Sequence, residues 1–139
     1  PRHRLVTSKY NPARTYTPEG AVGIGGAYMC IYGMESPGGY QLCGRTLPIW
    51  DSHGLISQLN RGSPPEKPWL LQFFDRVKFF LVSDDELETL RTRYLRGDYK
   101  IDIRDDTFSY KEHVQFCFEN RQSIGEFEEK RMAAFKVER

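Results

Sequence analysis

The sequence predicts an α+β fold that is mostly β, with an α-helical tail: a β-rich part over residues 1–82 and a largely helical part over residues 83–139. Two observations carry this prediction. Seven of the twelve glycines lie between Val22 and Thr46, interleaved with tyrosine, isoleucine, methionine and cysteine, a composition typical of packed strands and not of a linker. After Val82 the apolar residues change from a period of two to a period of about 3.6, as helices require.

The first part carries short apolar runs between turn signals. Strands are predicted for residues 4–8, 13–16, 21–24, 28–34 and 40–46. Glu35–Gly39 is the sharpest corner, because its proline presets φ and its two glycines accept a positive φ. Residues 52–68 hold three prolines and no periodicity, which predicts a loop. Residues 69–74 are strongly apolar, and residues 77–82 are predicted to form a continuous apolar strand except for Lys78.

The second part shows three helix starts of the capping-box type. In this motif a serine oxygen accepts a hydrogen bond from the first turn, and a glutamate three residues later reaches back. The three motifs begin at Ser83, Ser109 and Ser123. Gly97 is typical of the end of the first helix. Residues 99–103 alternate apolar and charged side chains, which predicts one strand between the helices.

Composition excludes several classes of partner. Lys and Arg number 20 against 19 Asp and Glu, so the sequence lacks the basic excess that nucleic-acid binding needs. No apolar run approaches the roughly 20 residues of a membrane span, and the chain opens on four residues, Pro1 to Arg4, without an apolar leader core. Because it also lacks an initiator methionine, we expect a piece of a longer polypeptide.

The cysteines and histidines predict neither a metal site nor a redox motif. Cys30, Cys43 and Cys117 have no Cys-x-x-Cys spacing, which indicates free, buried thiols in a reducing compartment and hence a cytoplasmic protein. A disulfide between Cys30 and Cys43 across a hairpin stays open as an alternative. The three histidines are scattered, and no cluster has zinc-site spacing, so no metal is expected.

The candidate functional residues flank the Glu35–Gly39 corner. Arg45 can present a planar fork to a carboxylate or another oxyanion, or it pairs with Glu35 across the hairpin. Tyr32 and Tyr40 can wall a flat polar ligand, or they pack on each other as ordinary strand aromatics. Glu35 and Ser36 can act as a base and a hydrogen-bond donor, or they form a solvated turn.

Several of these segments together resemble a known family. The runs Val22–Gly26, Ile31–Tyr40 and Gly44–Thr46, continued by Pro68–Leu71, resemble the KipI-type (allophanate hydrolase subunit 1) family, and within it the carboxyltransferase domains of biotin-dependent urea carboxylases. One departure is visible. Stand-alone family members often have Pro-Gly-Asp-Arg-Val where this chain has Phe73–Val77, and they end soon afterwards.

The resemblance implies a cyclophilin-like, barrel-type β fold for residues 1–82. It implies transfer of a carboxyl group from carboxybiotin to urea, which gives allophanate. Biotin is then carried on another domain, the biotin carboxyl carrier domain, and ATP and bicarbonate are used by a further domain. The site is expected in a cleft between this part and a preceding half of the carboxyltransferase domain.

The resemblance also assigns expected roles around the corner. Preorganised donors stabilise negative charge that develops during carboxyl transfer. The residues expected to carry the chemistry are Arg45 and Tyr32, and those expected to bind urea or biotin are Glu35, Ser36, Gly38, Gly39, Tyr40 and Gln41. Two alternatives remain within the same family: a subunit of ATP-dependent 5-oxoprolinase, and a non-catalytic module of the type that inhibits histidine kinases.

Overall fold

The structure, a computed structural model, describes residues 2–62, 64 and 67–137. Its strands are β1 (Arg14–Thr17), β2 (Ala21–Gly25), β3 (Tyr28–Ile31), β4 (Ser36–Gly38) and β5 (Gln41–Arg45). They form two antiparallel sheets, one of β1 and β4 and one in the order β3-β2-β5. The mixed β and α composition is confirmed. The two sheets stay separate among the described residues, so the expected barrel is not confirmed.

The middle strand β2 is the most buried part of the molecule. All five of its residues are buried, because β3 and β5 cover both of its edges. Its neighbours pair in antiparallel register, with Gly23 opposite Cys30 on one side and opposite Leu42 on the other. The register with β5 shifts between Val22 and Gly23, which leaves Cys43 as the extra residue of a bulge.

The helices are α1 (Leu55–Arg61), α2 (Asp84–Leu95), α3 (Tyr110–Glu119) and α4 (Arg121–Val137). Two predicted starts are confirmed: the Ser83 and Ser109 hydroxyls accept the N–H groups of Glu86 and Glu112 at 3.2 and 3.3 Å. The third is wrong. Helix α4 already runs through Ser123, whose Oγ lies 2.9 Å from His3 Nε2 instead of capping.

Helix α1 lies within the segment predicted to be a loop. Its first turn is held by a residue outside it, because the Asp51 carboxylate accepts the N–H groups of His53, Leu55 and Ile56. The helix contributes Ile56 to a small core with Leu70 and Tyr94. Burial and the nearby charge of Asp51 raise the pKa of Tyr94.

Several predicted strands are absent from the described residues. Residues 77–82 and 99–103 are irregular, so the helical part carries no strand there. Residues 4–8 contribute only a single bridge, between Thr7 and Gly26. A second isolated bridge joins Trp50 to Trp69, in the strongly apolar stretch 69–74. None of the helices in the described ranges is both long and apolar enough to cross a membrane.

One buried arginine joins the β part to α2. Arg91 is 8% exposed. Its guanidinium donates to the carbonyl of Thr46, just after β5, and pairs with the carboxylate of Glu19, in the turn before β2. A buried charge is tolerated only when it is paired and hydrogen-bonded, and both conditions hold here. The contact therefore fixes α2 beside the end of β5.

The segment Phe73–Val77, where the sequence differs from the family pattern, has an unusual backbone conformation. Phe74 has φ 71°, in the left-handed region, and it is the position where family members often have glycine. We predict that Phe74→Gly stabilises the protein by about 1 kcal/mol, because it removes left-handed strain from a side chain that makes no contacts to lose. Thermal unfolding measures the change.

The neighbouring residue is a matched control. Phe73 is 96% exposed and Phe74 is 101% exposed, but Phe73 does not have a positive φ. Phe73→Gly should therefore fail to stabilise and only enlarge the freedom of the unfolded chain. Equal melting temperatures for the two variants would contradict the strain at Phe74.

Candidate functional site

The ring of Tyr32 occupies the space that a side chain at Gly38 would need. A Cβ built on Gly38 would lie 2.3 Å from Tyr32 Oη, closer than any real contact. Neither Gly38 nor Gly39 has a positive φ, so the predicted reason for these glycines is wrong. Gly38 lies in β4 opposite Arg14 and is bare because Tyr32 packs across it. The space at Gly38 is thus filled by the protein itself.

Tyr40 makes the same kind of contact with β2. A Cβ on Gly25 would lie 2.3 Å from Tyr40 Cδ1, and one on Gly23 would lie 2.9 Å from Tyr40 Cβ. Lys9 Nζ also lies over this ring, 5.2 Å from its centroid, a cation–π distance. The two tyrosines therefore pack on glycine backbone. The sequence had left two other possibilities open, namely that they wall a flat ligand or that they pack on each other.

Gly39 and Gln41 face the N-terminal segment. The Tyr10 N–H donates to the carbonyl of Gly39 at 2.8 Å, and Gln41 Nε2 donates to the carbonyl of Ser8 at 3.3 Å. Gln41 also lines an open groove of about 360 Å³. The other residues lining this groove come from the N-terminal segment and from α4: Val6, Thr7, Ser8, Arg131, Ala134 and Phe135.

Arg45 lies at the far end of β5 and is partly free. Its Nη1 is 3.3 Å from a carboxylate oxygen of Glu88, on α2, and its Nε donates to the carbonyl of Glu19 at 3.4 Å. The Arg45 side chain is 42% exposed and that of Glu88 is 65% exposed, so their ion pair is weak. The alternative that Arg45 pairs with Glu35 does not hold.

Glu35 has a different partner, which the sequence did not single out. The hydroxyl of Tyr16, in β1, donates to Glu35 Oε1 at 2.8 Å. This hydrogen bond, the desolvation of the phenol and the negative charge of Glu35 raise the pKa of Tyr16. The positive charge of Arg45 acts in the opposite direction. Arg45 donates to the carbonyl of Glu19, two residues after Thr17, and Thr17 pairs with Ser36, next to Glu35.

The predicted site residues therefore lie in three places. Gln41 and Arg45 begin and end β5, roughly 13 Å apart at about 3.3 Å per residue. Tyr40 and Gly39 lie with Gln41. Glu35 is bonded to Tyr16, and Ser36 pairs with Thr17 of the same strand, so both lie beside β1, as Gly38 does. The tyrosine at position 16 and the carboxylate at position 88 were missed because nothing local in the sequence links them to Arg45.

No disulfide or metal centre is found in the part of the chain that the structure describes. Cys30 and Cys43 lie on β3 and β5 with β2 between them, so their Cα atoms are about 9.6 Å apart and beyond disulfide reach. All three thiols are free, as expected, but Cys43 is exposed and the other two are only half-buried. Burial raises the pKa of the Cys30 thiol.

Comparison with known proteins agrees with the resemblance. Residues 1–56 match the family described as carboxyltransferase domain, subdomain C and D. The chain is 49% identical to a urea amidolyase of Lachancea kluyveri over 128 residues, which is 92% of this chain and 7% of that protein. It superposes on the crystal structure of the K. lactis urea amidolyase with a TM-score of 0.80 and 48% identity, over 92% of this chain and 8% of that one.

A 5-oxoprolinase subunit of Haemophilus influenzae is less similar, at 40% identity over 78 residues, or 55% of this chain and 32% of that one. The chain thus spans less than a tenth of the length of the urea amidolyases that it matches. From the matches along nearly all of its own length, the chain is recognised as a carboxyltransferase-domain segment of the urea amidolyase and urea carboxylase type.

Proposed function

We propose that this chain forms one wall of a carboxyltransferase site that moves a carboxyl group from biotin to a urea nitrogen and so produces allophanate. The similarity to urea amidolyases supports the reaction. The observation that carries the location is Arg45: a half-exposed guanidinium at the end of β5, whose ion pair is weak. It donates to Glu19, just after β1, the strand that holds Tyr16 and pairs with Ser36.

The backbone beside Arg45 fits the approach of a flat ring. A Cβ on Gly44 would meet nothing within 4 Å, in contrast to Gly25 and Gly38, whose space is filled by tyrosines. Gly44 is also exposed. Biotin, carried on another domain, would supply the activated carboxyl group here. We place the approach of its ring at Gly44 and give Tyr32 and Tyr40 the role of holding the strands.

Arg45 would bind the carboxyl group. Its Nη2 has no hydrogen-bond partner among the described residues, and the exposed Glu88 can be displaced from Nη1 by a ligand carboxylate. Two parallel N–H donors from one guanidinium match the two oxygens of a carboxylate. Because these donors are in place before the negative charge develops, they lower the barrier to its formation.

Glu35 would take the proton. As the carboxyl carbon bonds to the urea nitrogen, its bond to the biotin nitrogen would break. The urea nitrogen loses a proton, so an acceptor must stand close by to take it and return it to the released biotin nitrogen. Tyr16 holds Glu35 Oε1, which leaves Oε2 to accept from the substrate. Ser36, next in the chain, is the proposed donor to the urea oxygen. Gln41 lies too far from Arg45 to join this group, so its proposed role narrows to the groove by α4.

The partners follow from the size of the relatives. Because they are more than ten times longer, we propose that a preceding half of the carboxyltransferase domain closes the cleft and that a biotin carboxyl carrier domain delivers biotin. ATP and bicarbonate would bind elsewhere in the longer polypeptide. A cytoplasmic location stays a prediction. The 5-oxoprolinase alternative is disfavoured by its shorter and weaker match. An assay of ATP turnover in the full-length protein, with urea or with 5-oxoproline added, separates the two alternatives.

Substitutions of Arg45 test its proposed role. In the full-length enzyme, Arg45→Ala should lower urea-dependent carboxyl transfer by about 10² to 10³-fold, as the loss of a charge-stabilising donor does. ATP- and bicarbonate-dependent exchange in the other domain should persist. Arg45→Lys should recover only part of the transfer, since it restores the charge without the fork.

Arg104→Ala is the matched control, because Arg104 is also exposed and also pairs with a carboxylate, that of Asp102. It should leave both reactions unchanged. Transfer near the wild-type rate in Arg45→Ala would assign Arg45 a structural role only.

The second prediction concerns the Tyr16–Glu35 pair. The neutral phenol donates to the carboxylate, so the pKa of Tyr16 should lie above its ordinary value of 10.0 and fall toward it in Glu35→Ala. The stabilisation that the bond gives is therefore complete below the unfolded pKa and is lost as pH rises through the folded one. Ultraviolet titration measures the pKa of Tyr16 when the curve of the Tyr16→Phe variant is subtracted from that of the parent protein.

Glu112→Ala removes a carboxylate on α3 and should leave the titration of Tyr16 unchanged. If Glu35→Ala behaved the same way, the hydrogen bond would not exist in solution and Glu35 would lose its proposed orientation.

A further inference from the structure

The apolar segment before α2, residues 77–82, is irregular and largely exposed. Its sequence is Val-Lys-Phe-Phe-Leu-Val, in which five of six residues are apolar and four are of the types that strands favour. Phe80 is 70% exposed and Leu81 is 101% exposed, whereas Val77 and Phe79 are 49% and 44% exposed. In a strand successive residues point to opposite faces, so this segment would carry apolar side chains on both faces if it were extended.

The backbone of this segment is also unpaired. From residue 77 to residue 82, no backbone N–H or C=O makes a hydrogen bond with any residue that the structure describes. An exposed apolar strand with free backbone groups is a template for pairing with another strand, and proteins cover such strands. Strands with two apolar faces are typical of positions inside a sheet that is covered on both sides.

Both ends of the segment are held in place. On one side, Asp75 accepts from the Gln72 N–H at 2.8 Å and pairs with Arg61 of α1. On the other side, Ser83 caps α2, which Arg91 fixes to the β part. The segment is therefore presented between two anchors, so pairing with a partner strand would not carry the full entropy cost of ordering a free tail.

We propose that residues 77–82 form a strand that pairs with an unpaired strand edge in the rest of the same polypeptide. This occupant is favoured because the matching urea amidolyases continue far beyond this chain, which equals 7% of the Lachancea kluyveri protein. The partner edge carries apolar side chains on both faces, to cover Phe79 and Leu81 on one side and Phe80 on the other. The inference rests on membership in a larger carboxyltransferase domain and not on the identity of the substrate.

Hydrogen–deuterium exchange in the full-length protein tests the pairing. Residues 104–108 are irregular and exposed, so their amides serve as an unprotected reference within the same molecule. We expect the amides of residues 78–82 to exchange at least about 100-fold more slowly than this reference, because paired strand amides exchange only on opening. Exchange as fast as the reference would overturn the proposal.

Two variants test whether the apolar side chains of residues 77–82 are the cause of this protection. Leu81→Asp should abolish the protection of residues 78–82, whereas Val137→Asp, at an 87% exposed valine of α4, should leave it intact. Protection that falls on dilution, together with a change in oligomeric state, would assign the strand to a second copy of the chain and contradict the proposal. None of these readouts depends on carboxyl transfer, so failure here leaves the roles of Arg45 and Glu35 untouched.

Discussion

The contact between tyrosine rings and bare glycine backbone determines the shape of the β part. Tyr40 lies on Gly25 and Gly23, and Tyr32 lies on Gly38, at distances that no Cβ could tolerate. Each ring thus gains apolar contact with a strand at a point where a side chain would have kept it away. This packing accounts for three of the seven glycines between Val22 and Thr46, and among the seven only Gly26 has a positive φ.

The candidate site follows from that packing and from one buried charge. With β2 sandwiched between β3 and β5, the end of β5 is fixed, and Arg91 then docks α2 beside it through Thr46 and Glu19. Arg45, the residue before Thr46, is partly exposed and only weakly paired. The arrangement keeps a charged donor exposed while its backbone is rigid, which is the condition for electrostatic preorganisation.

What the sequence could predict was local. The Ser83 and Ser109 hydroxyls cap their helices by accepting backbone N–H groups only three residues away, so a short window contains all the information. The glycine-rich stretch and Arg45 were also recognisable, as a motif. Helix α1 was missed because it lies in a segment without apolar periodicity. Asp51, which caps it, precedes that segment. The strands expected at 77–82 and 99–103 did not form because a strand needs a partner, and composition does not supply one.

The functional contacts were the least predictable, because they join distant positions. Tyr16 and Glu35 are 19 residues apart, and Arg45 and Glu88 are 43 apart. The role of the glycines at the corner was misjudged for a related reason. A positive φ is the usual local cause of a Gly-Gly pair at a turn, whereas a tyrosine ring above Gly38 is a tertiary cause.

The central claim is that these glycines are bare because tyrosine rings take their place. The free energies of unfolding of Gly25→Ala and Gly44→Ala test it most directly. Both glycines lie in sheet strands without a positive φ, but only Gly25 is covered by a ring, whereas a Cβ at Gly44 enters open space. Gly25→Ala should lose about 1–3 kcal/mol by overpacking, and Gly44→Ala should change stability by less than about 0.5 kcal/mol. Equal stabilities for the two variants would contradict the account.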